Sequence, residues 1–180
     1  RYPQPTALTF RETAASLHGI APEQILAVNG GDELLRLALA TFVEPGESIG
    51  YANPSYSLYP VLAGLHGARV YDVEMTDDWC PPDDFAARMN EAGVKLTFVV
   101  NPHAPSGHLL SREDILALAD ALDGILFLDE AYADFVAPEV GYSAVSLVDE
   151  VDNLLILRTL SKGYSLAGLR FGYGLSLIHI

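Results

Sequence analysis

The chain has 180 residues, half of them hydrophobic, enough for one domain with a sizeable core. Its 24 aspartates and glutamates against 10 lysines and arginines give a formal net charge of −14, which disfavours nucleic acid or an anionic membrane as the main partner. The single cysteine, Cys80, excludes an intrachain disulfide and is compatible with a reducing cytoplasm. No apolar run reaches the roughly 18 residues of a membrane-spanning helix, and no basic-then-apolar signal pattern opens the chain.

In chain order, residues 9–18 read as a helix stopped by Gly19, a residue suited to a left-handed C-cap. Residues 25–28 form a short apolar strand. Asn29-Gly30-Gly31 then turns the chain into a helix over 32–42, whose Leu34, Leu35, Leu37, Ala38 and Phe42 recur at helical spacing. Pro45-Gly46 breaks it. Strands follow at 48–52 and 69–73, with a helix at about 56–65 between them and another over 83–92. Leu96-Thr97-Phe98-Val99-Val100 is a nearly continuous β-branched and aromatic run, as in strands buried on both faces of a parallel sheet. Ser111 opens a helix to about 122, with Asp114 in the capping-box position. Residues 125–129 and 154–157 repeat the buried-strand pattern, and 171–174 form a last short strand. The alternation predicts an α/β fold with a mostly parallel sheet sandwiched by helices. Ligands of such sheets bind beyond the carboxyl ends of strands, which singles out Gly30 and residues 54–56, 101–107, 129–132 and 161–170.

The chain contains two lysines. Lys95 precedes the strand at 96–100, at the opposite end of the sheet. Lys162 follows the strand at 154–157, at the ligand-binding end, beside Thr159, Ser161 and Gly163. Lysine amines form Schiff bases with carbonyl cofactors; a solvated loop lysine is the plainer reading. Asp129 ends an apolar strand at the same edge, where a buried carboxylate can keep a pyridine nitrogen protonated or cap the next turn. Gly30-Gly31-Asp32 begins a helix directly after a strand, a place suited to phosphate, although Asp32 also fits simple helix-start capping. Arg170 offers a guanidinium fork to phosphate or to a surface ion pair. Tyr56 offers an aromatic face to a flat ring or to the core. Cys80, beside Trp79 and Pro81, reads as an inert thiol, and the histidines show no metal-ligand spacing, so no metal is assigned. No one of these residues decides the chemistry. Together at one sheet edge they match the needs of a pyridoxal 5'-phosphate site.

Asn29-Gly30-Gly31-Asp32-Glu33-Leu34, Pro54-Ser55-Tyr56-Ser57-Leu58-Tyr59, Asp129-Glu130-Ala131-Tyr132, Arg158-Thr159-Leu160-Ser161-Lys162 and Ala167-Gly168-Leu169-Arg170 carry a resemblance to the class I/II aminotransferases of fold type I, with the histidinol-phosphate aminotransferase group nearest. It extends in order over residues 1–174. The resemblance implies a pyridoxal phosphate enzyme of amino-acid biosynthesis that moves an amino group between an amino donor and a 2-oxo acid. It implies that Lys162 holds the cofactor covalently and shuttles a proton, that Asp129 pairs with the pyridine nitrogen, and that Tyr132 bonds the phenolic oxygen. Tyr56 would stack on the ring. Gly30, Gly31, Asp32, Ser161 and Arg170 would hold the phosphate, and Tyr2 would reach the phosphate of a neighbouring subunit, making the unit a homodimer.

One position departs from the family pattern. In Asn101-Pro102-His103-Ala104-Pro105-Ser106-Gly107, Ala104 stands where the family often has an asparagine that bonds the phenolic oxygen. That bond is lost unless His103 or a water supplies it. Family members also carry a small C-terminal domain bearing the arginine that grips substrate. The expectation is therefore a partial large domain over 1–174, a non-native tail over 175–180 that resembles adapter read-through, and a small domain outside the chain. Two other readings stay open: a decarboxylase of an amino-acid phosphate on the same fold, and a non-catalytic aminotransferase-like regulatory module.

Overall fold

A computed structural model describes residues 4–177, so Tyr2 lies outside the described residues. The strands are β1 (Ile25–Val28), β2 (Ser48–Asn53), β3 (Arg69–Glu74), β4 (Val94–Val100), β5 (Ile125–Asp129), β6 (Leu154–Thr159) and β7 (Gly172–Leu175). The helices are α1 (Leu8–His18), α2 (Gly31–Phe42), α3 (Leu58–His66), α4 (Phe85–Glu91) and α5 (Arg112–Ala121). One seven-stranded sheet runs in the order β1-β7-β6-β5-β4-β2-β3. β3, β2, β4, β5 and β6 pair in parallel, whereas β7 is antiparallel to both β6 and β1. The sheet is thus mostly parallel, as expected, with one reversed strand that the apolar pattern of 171–174 does not distinguish.

Alternation along the central strands feeds two helical layers, because successive side chains point to opposite faces. Leu126 and Leu128 of β5 join Met89 of α4 and Ile115 of α5 in one core, while Phe127 joins Leu35 of α2 and Tyr59 of α3 in the other. Both faces are covered, which is why β4 and β5 read as continuous apolar runs. Gly50 of β2 permits close approach: a Cβ there would lie 2.2 Å from the Met89 sulfur.

The capping box of α5 forms as the spacing predicts. The Asp114 amide donates to Ser111 Oγ at 3.1 Å, and the Ser111 amide donates to Asp114 Oδ2 at 3.0 Å. Hydrogen bonds from Ser111 hold the Asp114 carboxyl below its ordinary value. Its contribution to stability is therefore present above the unfolded-state value and is lost as pH falls through the lower folded one. Ser111→Ala is expected to cost about 1 kcal/mol, read as a lower urea midpoint at neutral pH with an unchanged slope.

Element boundaries depart in a few places. α3 begins at Leu58, not 56, so Tyr56 lies in the connection, its carbonyl accepting from the Tyr59 amide at 3.2 Å. Short 3₁₀ turns at Ala133–Phe135, Pro138–Val140 and Val145–Asp149 occupy a segment for which no element was expected. Such turns are too brief to print a periodic pattern. The expected boundary after Gly174 falls inside β7: Leu175 pairs with Ile25 and Ile156 and is fully buried. Ser176 Oγ donates to the Leu154 carbonyl at 2.6 Å.

Candidate active site

β1, β2, β4, β5 and β6 all end at one edge of the sheet, and the reversed β7 begins there. The reversal brings Arg170, which precedes β7, to the same edge as Lys162, which follows β6. A cavity of about 350 Å³ opens at this edge. Lys162, Asp129, Tyr132 and Tyr56 line it, as do Gly31, Asp32, Ser161 and Arg170. Gly30 stands behind Arg170, with φ of 86°: a Cβ there would lie 2.3 Å from Arg170 Nη2. The backbone at Gly30 is therefore one that glycine adopts without strain, and its missing side chain leaves room for the guanidinium.

Asp129 is held at both carboxylate oxygens. Tyr59 Oη donates to Oδ2 at 2.9 Å and the Ala131 amide donates to Oδ1 at 3.1 Å. Burial pushes the Asp129 carboxyl up, against Tyr59, Ala131 and Lys162, which pull it down. Tyr59 is fully buried, stacks on Phe98 with centroids 4.4 Å apart, and meets Tyr56 edge-on at 5.6 Å. Its hydroxyl is a polar contact that the sequence reading missed. A tyrosine three residues past Tyr56 on an apolar helix looks like plain core.

At the other end of the cavity, α2 starts beside the guanidinium. Arg170 Nη2 lies 3.7 Å from Asp32 Oδ2, and Tyr56 Oη donates to Asp32 Oδ1 at 3.4 Å. The first amides of a helix lack partners within it and carry the positive dipole end, so this corner suits an anion. The Lys162 amine lies 5.3 Å from the Tyr132 ring centroid. A flat ring with a basic nitrogen facing Asp129 and a phosphate facing Arg170 fits this donor set. The buried carboxylate, the lysine and the anion corner share one cavity.

Behind the cavity lies a polar cluster that the sequence reading also missed. Arg158 Nε pairs with Glu130 Oε2 at 2.6 Å, and Tyr142 Oη donates to Glu130 Oε1. Asn101 Nδ2 donates to Tyr142 Oη at 2.7 Å. Burial pushes the Glu130 carboxyl up, and Arg158 pulls it back. These bonds pin the segment after β5, which follows Asp129 directly and carries Tyr132, to β6 and to the loop at 101.

Ala104 lines the cavity, but His103 does not take the missing asparagine's place. His103 is buried; its Nε2 donates to the Pro54 carbonyl at 2.9 Å, and its Nδ1 lies 2.8 Å from Ser106 Oγ. Both ring nitrogens are engaged away from the cavity. The Pro54 carbonyl only accepts, so Nε2 is the donor in that bond.

Comparison with known proteins agrees with the fold. The histidinol-phosphate aminotransferase of Geotalea uraniireducens is 44% identical over 172 residues, 96% of this chain and 47% of that protein. The Sinorhizobium meliloti histidinol-phosphate aminotransferase, crystallised with pyridoxal-5'-phosphate, superposes with a TM-score of 0.90 at 30% identity over 98% of this chain and 48% of that one. The L-threonine-O-3-phosphate decarboxylase of Porphyromonas gingivalis superposes with a TM-score of 0.81 at 26% identity, over 98% and 51% of the two chains. The chain spans about half the length of the curated relatives it matches. With the family model for aminotransferase class I and II matching residues 1–177, the chain belongs to that family.

Proposed function

We propose that this chain is the cofactor-binding part of a pyridoxal-phosphate aminotransferase of the histidinol-phosphate type, completed by a small C-terminal domain outside it. The observation that carries the reading is the cavity that brings Lys162 to the buried, doubly bonded Asp129, with Arg170 and the start of α2 closing its far corner. When bound, the cofactor supplies the electron sink for carbanion chemistry at the substrate carbon. The chain's own residues do the rest. Lys162 attaches the cofactor and carries a proton at Nζ to and from the substrate carbon. Asp129 keeps the ring nitrogen protonated. Tyr132 donates to the phenolic oxygen, and Tyr56 covers the ring face. Gly30, Gly31, Asp32, Ser161 and Arg170 bind the phosphate. Tyr2 serves the neighbouring subunit of a homodimer, and the enzyme works in the cytoplasm, where its free Cys80 stays reduced.

The amino donor in this reading is histidinol phosphate or a related amino compound, and the acceptor is a 2-oxo acid. Incubating the full-length enzyme with histidinol phosphate and a 2-oxo acid should yield a new keto or aldehyde product and an amino acid. Amine and carbon dioxide from an amino-acid phosphate, with no amino transfer, would replace transamination by decarboxylation. Identity of 44% to an aminotransferase favours the former.

Ala104 leaves the phenolic oxygen with one protein donor fewer, and His103 is locked elsewhere. Restoring the donor with Ala104→Asn should favour the deprotonated lysine linkage. The midpoint at which the bound cofactor's visible absorbance titrates is expected to fall by roughly half to one pH unit, the worth of about one hydrogen bond. An unchanged titration curve would remove Ala104 from the account.

A further inference from the structure

We infer that Tyr59 is a positioning residue whose hydroxyl, by donating to Asp129, keeps the proton of the Asp129–pyridine pair on the cofactor nitrogen. The inference rests on the proposed cofactor reading. It goes beyond it by assigning a function to a residue that touches no reacting atom.

The geometry is specific. The 2.9 Å bond from Tyr59 Oη to Asp129 Oδ2 is buried; Tyr59 has no exposed surface, and Asp129 is buried beside the cavity it lines. Among the described residues, Asp129 has one other protein donor, the Ala131 amide on Oδ1. Tyr59 itself has little freedom to move. Its ring stacks on Phe98 of β4 at 4.4 Å with an interplanar angle of 11°, and Phe98 lies 5.1 Å from Phe127 of β5, two residues before Asp129. The phenol is thus anchored on β4, whose Phe98 packs against Phe127 of β5, the neighbouring strand that carries the carboxylate.

A carboxylate facing a pyridine in a site of low dielectric has two protonation patterns. Either the nitrogen holds the proton and the acid is ionised, or the proton crosses and both are neutral. Burial favours the neutral pair, because it removes two charges from a poorly screening medium. A donor on the carboxylate opposes the crossing, because a hydrogen bond to the charged form lowers the acid's proton affinity. Tyr59 and the Ala131 amide supply that opposition. Without the phenol, the proton moves from the pyridine nitrogen to the carboxylate, and the ring becomes a poorer electron sink. Tyr59 also meets Tyr56 edge-on at 5.6 Å, so one buried side chain braces both the ring-face contact and the ring-nitrogen contact.

The test is Tyr59→Phe in the full-length enzyme loaded with cofactor labelled with ¹⁵N in its ring. Wild type should show the pyridine nitrogen in its protonated range. The variant, which keeps the ring stack on Phe98, should move the signal toward the unprotonated range at the same pH. Its kcat should fall by about 10-fold, the order expected for one hydrogen bond to a charged group, with KM nearly unchanged. In an Asp129→Asn background the same change should have no further effect on the signal. Should Tyr59→Phe fail to fold, 3-fluorotyrosine at position 59 keeps the shape and is a stronger donor, and it should move the signal further into the protonated range. A nitrogen signal that ignores both changes overturns the inference while leaving the cofactor reading intact. A wild-type enzyme that loads no cofactor on Lys162 overturns both.

Discussion

Lys162→Ala in the full-length enzyme is expected to abolish covalent retention of the cofactor and to lower kcat by roughly 10²- to 10⁴-fold, the range for loss of a positioned proton-transfer group. The other lysine cannot substitute. Lys95 sits near the start of β4, at the far end of the sheet, with its amine 3.9 Å from Glu47. The remaining contacts of the cavity are untouched by the change, so noncovalent binding at the Arg170 corner and against Asp129 should persist. The substitution is on an exposed side chain, and the unfolding midpoint should move by little, within about 0.5 kcal/mol. A variant to which borohydride still fixed the cofactor covalently, through denaturation, with kcat near wild type, would take Lys162 out of the chemistry.

Arg158→Met is expected to be the most destabilising single change near the site, at about 3–5 kcal/mol, because it strands a buried carboxylate. The Glu130 side chain has no exposed surface, and Arg158 pairs with it at 2.6 Å. After the change, Glu130 keeps the Tyr142 hydroxyl but no countercharge; Asp134, the other acid near Arg158 at 3.8 Å, loses its partner too. The double change Glu130→Gln with Arg158→Met removes both charges and should recover much of the loss. Urea melts of both single variants and the double variant check this, and a double-variant loss equal to the sum of the two single losses would mean the pair is not coupled. Function should suffer with the single change even where the protein folds, since Glu130 adjoins Asp129 and fixes the segment that carries Tyr132.

Much of this architecture is legible in the sequence because the local signals are strong. The apolar runs before Asp129 and before Arg158, the glycine pair that opens α2 and the Ser111–Asp114 cap each have a local physical cause, and each forms as its pattern predicts. What escapes is set by distant pairing. Tyr59 reaches Asp129 across 70 residues of chain, and Tyr142 reaches Asn101 across 41. Nothing local distinguishes a tyrosine that packs from one that also donates. A signal for the Glu130–Arg158 pair does exist: an arginine directly after four apolar strand residues, and a second acid beside Asp129, both require partners if buried. The reversed direction of β7 has no such mark, because a four-residue strand looks alike in either sense. The corner that Arg170 forms with α2 depends on that reversal, so the sequence points to the residue but not to the route by which it arrives.

The most direct test of the central claim is to incubate the protein with pyridoxal phosphate, reduce with borohydride, digest it and map the modified peptide by mass spectrometry, with circular dichroism confirming a folded sample. With two lysines in the chain, the outcome is nearly binary. Modification concentrated on Lys162, with Lys95 unlabelled, is the predicted result. Equal labelling of Lys95, or labelling of neither lysine in folded full-length protein, would contradict the assignment of this cavity to the cofactor.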